Sequence, residues 1–253
     1  MSSTNVGLIL AAGNGSRLAS VSETLPKPLI ELHGKPLLEH VLMDAHSAGI
    51  ERFVIVLGYR GDLIRSWFEQ RHLDGIEVTW VENPDYKYKH NGISVLKARD
   101  VIRDPFVLFM TDHIFEPETV AALTRQPIGK DETILAVDRK ISSIFDMDDA
   151  TKVRCIGNYI IDIGKQIKSY DAIDTGMFLC QPAIFDWLES AMIDGNCSLS
   201  DGMRLMAQQR KLRAFDIGDA MWQDVDTPDS LSYAQGLFLS PNTRNYSREE
   251  VRV

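Results

Sequence analysis

Two basic side chains and a pair of glycines carry the first sign of chemistry in this chain. The apolar run from Val6 to Leu10 reads as a buried strand, and it breaks into a loop with Gly13, Gly15, Ser16 and Arg17. Glycines at such a break let backbone N–H groups approach a phosphate closely, and successive N–H groups form an anion-binding nest. Arg17 and Lys27 add fixed positive charge suited to a polyphosphate, and Pro26 and Pro28 stiffen the backbone around Lys27. The spacing excludes two common phosphate loops. A dinucleotide fingerprint needs a third glycine where Leu18 stands, and a Walker loop needs Gly-Lys-Ser/Thr where Gly15-Ser16-Arg17 stands.

A cation site is expected further along. Phe106 to Met110 is almost wholly apolar and ends in Thr111-Asp112-His113. In open parallel sheets ligands collect beyond the carboxyl ends of the strands. Asp112 is therefore placed to hold Mg²⁺, which takes a few carboxylates together with phosphate oxygens and water. A turn or cap is the alternative role for Asp112, and His113 fits a metal neighbour and a turn residue equally. A second acidic piece reads Trp222-Gln223-Asp224-Val225-Asp226-Thr227-Pro228. Thr227, Pro228 and Asp229 form a good helix start, so Asp226 also fits a capping role.

The elements that must position these residues alternate between strand and helix. Helices are predicted over 35–49, 62–70, 92–99, 116–125, 183–192 and 200–209, with a further one starting at 227. Strands are predicted over 53–57, 76–81, 105–110, 133–137, 175–180 and 212–216, and Gly157-Asn158 reads as a hairpin turn between 152 and 163. This order implies an α/β, Rossmann-like fold: a mixed, mainly parallel sheet with helices on both faces.

Composition narrows the class. The 253 residues fit one enzyme domain, expected over 1–240 with a polar tail at 241–253. No membrane span and no signal peptide are read, and Cys155, Cys180 and Cys197 fit free thiols in a reducing cytoplasm. The net charge of −9 without a basic run argues against nucleic acid as a partner. Anionic substrates must then be met by local Arg and Lys and a divalent cation. Oligomeric state is not readable from the residues.

The arrangement Ala-Ala-Gly-x-Gly-x-Arg-Leu, a spacer, then Pro-Lys-Pro-Leu closely resembles the signature of nucleotidyltransferases. These enzymes join a nucleoside triphosphate to a sugar phosphate or alcohol phosphate and release pyrophosphate. The resemblance implies a GT-A-like fold, with a nucleotide-binding half at about 1–112 and an acceptor-binding half at about 113–240. It implies nucleotide contacts from Leu10, Ala11, Ala12, Gly13, Asn14, Gly15 and Ser16, with Arg17 over the β- and γ-phosphates and Lys27 near the α-phosphate. It pairs Asp112 with Asp224 as metal ligands. Asp226 ranks below them, because many relatives carry glycine there. The segment with Asn91, Gly92 and Ser94 falls against the nucleoside, although Asn91 fits a helix N-cap equally well. Lys152 falls where relatives place a lysine on the acceptor phosphate. Asp174, Thr175 and Gly176 enter a strand beside the acceptor, with Asp174 placed to accept from its hydroxyls.

Four pieces resemble one branch: Thr-Asp-His-Ile-Phe-Glu-Pro, Asp-Ala-Thr-Lys-Val, Asp-Thr-Gly-Met-Phe and Trp-Gln-Asp-Val-Asp-Thr-Pro-Asp. The branch is the CTP:inositol-1-phosphate cytidylyltransferases, whose relatives include phosphocholine and phosphonate cytidylyltransferases. CTP and inositol 1-phosphate are the substrates it implies. The alternatives are a sugar-1-phosphate nucleotidyltransferase using UTP, dTTP or GTP, and a nucleotide-sensing module without catalysis. Retention of Arg17, Lys27, Asp112 and Asp224 together favours an enzyme. In that branch the enzyme is often fused to a membrane-embedded phosphotransferase. No apolar span is read here, so the consumer of the product is expected to be a separate protein or another pathway. Thr111 stands where many relatives have glycine.

Overall fold

The structure is a computed structural model that describes residues 4–18, 21–22, 24–71 and 73–238. The expected tail at 241–253 and the Ser16 side chain lie outside the described residues.

β1 (Val6–Ala11) is apolar or glycine at every position because both of its faces are covered. β2 (Glu31–Leu32) and β3 (Lys35–Pro36) make a minimal hairpin before α1 (Leu37–Ser47). Then follow β4 (Arg52–Leu57), α2 (Gly61–Glu69), β5 (Glu77–Glu82), α3 (Asn91–Lys97), β6 (Phe106–Met110), β7 (His113–Phe115) and α4 (Pro117–Leu123). The second half adds β8 (Thr133–Asp138), β9 (Lys152–Ile156), β10 (Tyr159–Gly164), β11 (Ala172–Cys180), α5 (Ile184–Ser190) and α6 (Leu199–Gln208). It closes with β12 (Leu212–Asp216), β13 (Trp222–Asp224) and α7 (Pro228–Leu237).

Nine strands form one sheet in the order β5-β4-β1-β6-β11-β8-β12-β10-β9. The sheet is mixed, as the sequence implies, and its parallel part is concentrated in the first half, where β5, β4, β1 and β6 all run the same way. In the second half only β8 and β12 pair in parallel. β11 runs antiparallel between β6 and β8, and its register shifts between Asp174 and Phe178 around Gly176, whose φ is +76°. That irregularity explains why period-2 reasoning found the strand only from 175 onward.

Helices cover both faces. α3, α5 and α6 bury Val95, Phe185 and Met203 on one side, against Leu8, Val56 and Leu108. α1, α2 and α4 bury Leu42, Ile64 and Val120 on the other, against Ile9, Ile55 and Phe109. A third, smaller cluster joins Leu18 and Ile30 to Ile114, Val225 and Leu231. It locks the loop after β1 to β7, β13 and α7, and this is the packing that brings distant acids together.

β7 and β13 form a two-stranded antiparallel ribbon in which His113 faces Asp224 across the ladder. Segments this short give no periodicity to read. The start of α7 is capped as the sequence implies: the Thr227 hydroxyl accepts from the Ser230 N–H at 3.1 Å, with Pro228 in the first turn. Thr227 caps this helix through its side chain, and the Asp226 carboxylate is turned elsewhere.

Candidate active site

β1 and β6 are parallel neighbours with Leu10 opposite Met110. Their carboxyl ends therefore open at one edge, and the glycine loop emerges beside Asp112. A cavity of about 320 Å³ lies there, lined by Leu10 to Gly15 and by Arg17, Lys27, Asn91 and Ser94. Gly15 adopts φ +59°, and a Cβ at that position would stand 2.5 Å from the Lys27 Cβ. The loop thus rests directly on the lysine stem.

The charges on this loop are engaged. Lys27 Nζ donates to Asp112 Oδ2 at 2.5 Å and also to Asp226 Oδ1. Burial alone would lower the Lys27 pKa, but the two carboxylates outweigh it and raise the value. Arg17 donates to Asp226 at 2.6 Å and to Asp149 at 2.9 Å. Asp226 therefore binds both loop cations.

Asp112 is also held by His113, whose Nδ1 lies 2.6 Å from Asp112 Oδ1. Burial opposes ionisation of Asp112, yet Lys27 and His113 hold its carboxyl well below the usual range. Burial likewise works against the imidazolium, and the Asp112 carboxylate overrides it, pushing His113 up to about 9. The His113 ring stacks on Trp222 with centroids 5.8 Å apart, and the Trp222 indole N–H donates to buried Asp138 at 2.8 Å.

Asp149, Asp224 and Asp226 bring one oxygen each within 4.8 Å of one another. This all-oxygen set suits a hard divalent cation. Asp224 fits such an occupant electrostatically. Burial raises its pKa, His113 opposes that, and the neighbouring Asp226 and Asp112 raise it further. Of the expected ligands, Asp224 and Asp226 come together with Asp149, while Asp112 lies against Lys27 and His113. Asp149 sits in the irregular loop before β9 and opens the Asp-Ala-Thr-Lys-Val piece, in which sequence reasoning gives a role to Lys152 alone.

A second cavity of about 210 Å³ adjoins the first and shares Asn91, Met110, Asp112 and Asp226 with it. Thr151, Lys165, Asp174, Gly176 and Ser200 also line it. Burial pushes Asp174 up to about 6, although its Oδ1 accepts from the Gly176 N–H at 2.7 Å. A Cβ on Gly176 would overlap the His113 ring.

Three expected contacts fall outside both cavities. Thr175 is fully buried, and its hydroxyl donates to the Ala136 carbonyl on β8 at 2.8 Å, so it ties strands together. Gly92 packs on the Cys197 carbonyl, where a Cβ would come within 2.6 Å of the oxygen. Lys152 is only 8% exposed, and its ammonium donates to the Asp148 carbonyl at 3.3 Å. Asn91 and Ser94 line the nucleotide cavity, but each has a structural bond as well. Asn91 Oδ1 accepts from the Leu199 N–H at 2.9 Å, and Ser94 Oγ accepts from buried Asn83 at 2.9 Å. Tyr86, Lys89 and Lys165 were not singled out by sequence reasoning. The first two lie in the loop before α3, which is rich in Tyr and Lys.

A glycine loop over a parallel strand end, two loop cations and a facing group of carboxylates define a nucleotide-phosphate-handling α/β enzyme. The chain belongs to the MobA-like NTP transferase domain family, whose model matches residues 7–208. The "Bifunctional IPC transferase and DIPP synthase" of Rubrobacter xylanophilus is 36% identical over 233 residues, 91% of this chain and 51% of that protein. The chain thus spans about half the length of that relative. The CMP-5'-(3-aminopropyl)phosphonate synthase of Streptomyces rubellomurinus is 28% identical, covering 97% of this chain and 40% of that protein. Among solved structures, the inositol-1-phosphate CTP transferase from T. maritima superposes with a TM-score of 0.83 at 28% identity, covering 93% of this chain and 95% of that one. Among the described residues, no helix is long and apolar enough to cross a membrane.

Proposed function

We propose that this chain transfers a cytidylyl group from CTP to inositol 1-phosphate, giving a CDP-alcohol and pyrophosphate. The observation that carries the reading is the pair of adjoining cavities that share Asp112 and Asp226, one built on the glycine loop and the other lined by hydroxyl and carboxylate groups. Two reacting phosphates must meet at such a seam. Support for CTP and inositol 1-phosphate comes from the likeness to the inositol-1-phosphate CTP transferase. We assign the nucleotide to the half at about 1–112 and the acceptor to the half at about 113–240, within one domain. The free thiols Cys155, Cys180 and Cys197 fit a reducing cytoplasm.

The chemistry needs little from a protein nucleophile. A phosphate monoester at neutral pH is mostly dianionic, and its oxygen attacks the α-phosphorus in line as the bond to the pyrophosphate oxygen breaks. The loop N–H groups from Ala12 to Gly15 orient the triphosphate. Arg17 faces the β- and γ-phosphates that leave, and Lys27 stands between the α-phosphate and the attacking oxygen. Asp149, Asp224 and Asp226 would hold Mg²⁺, which supplies neutralisation of phosphate charge when bound. Asp112 keeps Lys27 and His113 charged and in place. Catalysis is then positioning plus electrostatic stabilisation.

The test is a matrix of CTP, UTP, dTTP and GTP against inositol 1-phosphate, phosphocholine, an aminoalkyl phosphonate and glucose 1-phosphate, followed by pyrophosphate release. Turnover confined to CTP with inositol 1-phosphate is expected. A second reading, sugar-1-phosphate nucleotidyl transfer, is favoured by 27% identity to the UTP–glucose-1-phosphate uridylyltransferase of Haloferax volcanii, which this chain covers to 98% of its length. Turnover of UTP with glucose 1-phosphate would establish it instead.

A further inference from the structure

Trp222 stands between two cavities. One is the second cavity of the active site, which it lines together with His113 and Asp224. The other, a third cavity of about 210 Å³, is lined among the described residues by Asp138, Lys140, Phe145, Met221 and Tyr233 as well as Trp222. Packing therefore leaves the indole room to move on two sides. Its strand, β13, belongs to the short ribbon with β7, outside the nine-stranded sheet.

A buried carboxylate fixes the ring instead. Asp138, the last residue of β8, is only 2% exposed. Its Oδ2 accepts from the Trp222 indole N–H at 2.8 Å. Its Oδ1 accepts from the Lys140 N–H at 2.7 Å and from Lys140 Nζ at 2.9 Å. The same ammonium donates to the Gly218 and Ala220 carbonyls, just ahead of β13, at 2.6 and 3.1 Å. Lys140 thus supplies the countercharge that lets a carboxylate stay ionised in this place, and a hydrogen bond to an ionised acceptor is a strong one.

The effect reaches the loop cation through a chain of contacts. The His113 ring stacks on Trp222, His113 holds Asp112, and Asp112 holds Lys27. His113 also packs on Gly176. Of its neighbours Asp112, Gly176 and Trp222, only Trp222 lines the third cavity, so it is the support that has somewhere to turn. We propose that Asp138 is a positioning residue of the active site: it holds the Trp222 ring against His113 and keeps it out of the third cavity. The kinetic consequence rests on the proposed reaction, whereas the placement of the ring does not.

The experiment compares wild type, Asp138→Asn, Trp222→Phe and the double variant. Steady-state kinetics are measured with CTP and inositol 1-phosphate, and NOEs between the Trp222 and His113 ring protons are measured without substrate. Asparagine keeps the size of the side chain but loses its charge, and phenylalanine keeps a ring but loses the N–H. Each single substitution should lower kcat about tenfold, the low end for a group that orients a site residue, with the CTP KM within about twofold of wild type. The double variant should lose no more than the larger single loss, because both substitutions break one bond. The NOEs should be present in wild type and absent in Asp138→Asn. Retained NOEs in Asp138→Asn, losses that multiply in the double variant, or a wild-type kcat in either single variant overturns the assignment. Trp222→Phe decides alone if Asp138→Asn does not fold. Lost NOEs and the same tenfold fall in kcat, in a protein that turns over UTP and glucose 1-phosphate instead, uphold Asp138 and reject the polyol acceptor alone.

Discussion

The two adjoining cavities of this molecule are built in different ways. Beside the first cavity four strands run parallel, and a single continuous loop, residues 10 to 17, contributes the largest block of its lining. The lining of the second cavity comes from α3, the end of β6, β7, the loop before β9, the residue after β10, the bulge in β11, the start of α6 and the β13 region. A site carried by one loop is legible as a single motif. A site gathered from many segments leaves only separate short pieces in the sequence, and their meeting is decided by packing.

The sharpest way to break this comparison is at the seam. Lys27→Ala and Asp226→Ala should each lower kcat by about 10²- to 10³-fold, the usual loss for a preorganised group facing transition-state charge. Relatives with glycine at position 226 suggest a mild effect, but here Asp226 binds both Lys27 and Arg17. A kcat for Asp226→Ala within about threefold of wild type would dissolve the link between the halves. Neutralising Arg244 or Arg248, outside the described residues, should lower kcat/KM far less than Lys27→Ala.

Two glycines separate the halves by substrate. Gly15→Ala strains a left-handed backbone and drives a methyl into the Lys27 stem, so it should raise the nucleotide KM. Gly176→Ala, at φ +76°, drives a methyl into a His113 ring that Asp112 and Trp222 pin in place. It should raise the acceptor KM. Each should also cost about 1–3 kcal/mol of stability, read by urea denaturation. Identical KM profiles for the two variants would remove the division of labour.

Gly92→Ala sharpens the same comparison from the packing side. A Cβ there meets the Cys197 carbonyl oxygen, a backbone atom with little freedom to move. Stability should fall while the ratio of nucleotide to acceptor KM stays constant. A selective rise in nucleotide KM would return Gly92 to the binding role that sequence resemblance implies.

The smallest expected effect is on pH dependence in the metal-free protein. The folded state holds His113 at about 9, above its ordinary unfolded value of about 6.5. A raised value means that the imidazolium stabilises the fold fully below about pH 6.5, and that this contribution disappears as pH rises through about 9. The melting temperature of the metal-free wild type should fall across that window, and His113→Gln should flatten the decline. An NMR titration placing His113 near about 6.5 would show that Asp112 does not hold it charged.

The residues themselves determined the α/β order, the glycine loop with Arg17 and Lys27 beside it, and an acid just past the end of the central strand. Each of these follows from local chemistry: apolar runs make buried strands, glycines open a loop, and strand ends present side chains to a cleft. Tertiary structure alone decided which acids meet. The cluster of Leu18, Ile30, Ile114, Val225 and Leu231 draws α7 and the β7–β13 ribbon onto the loop after β1, and Arg17 in that loop bridges Asp226 to Asp149. It also decided which lysine lines the second cavity. Lys152 and Lys165 stand at adjoining positions of one hairpin, yet one is buried against a carbonyl and the other opens to the cavity. Spacing along a chain fixes which residues share a loop or a helix face, but the direction of a side chain at a hairpin end depends on what packs around it.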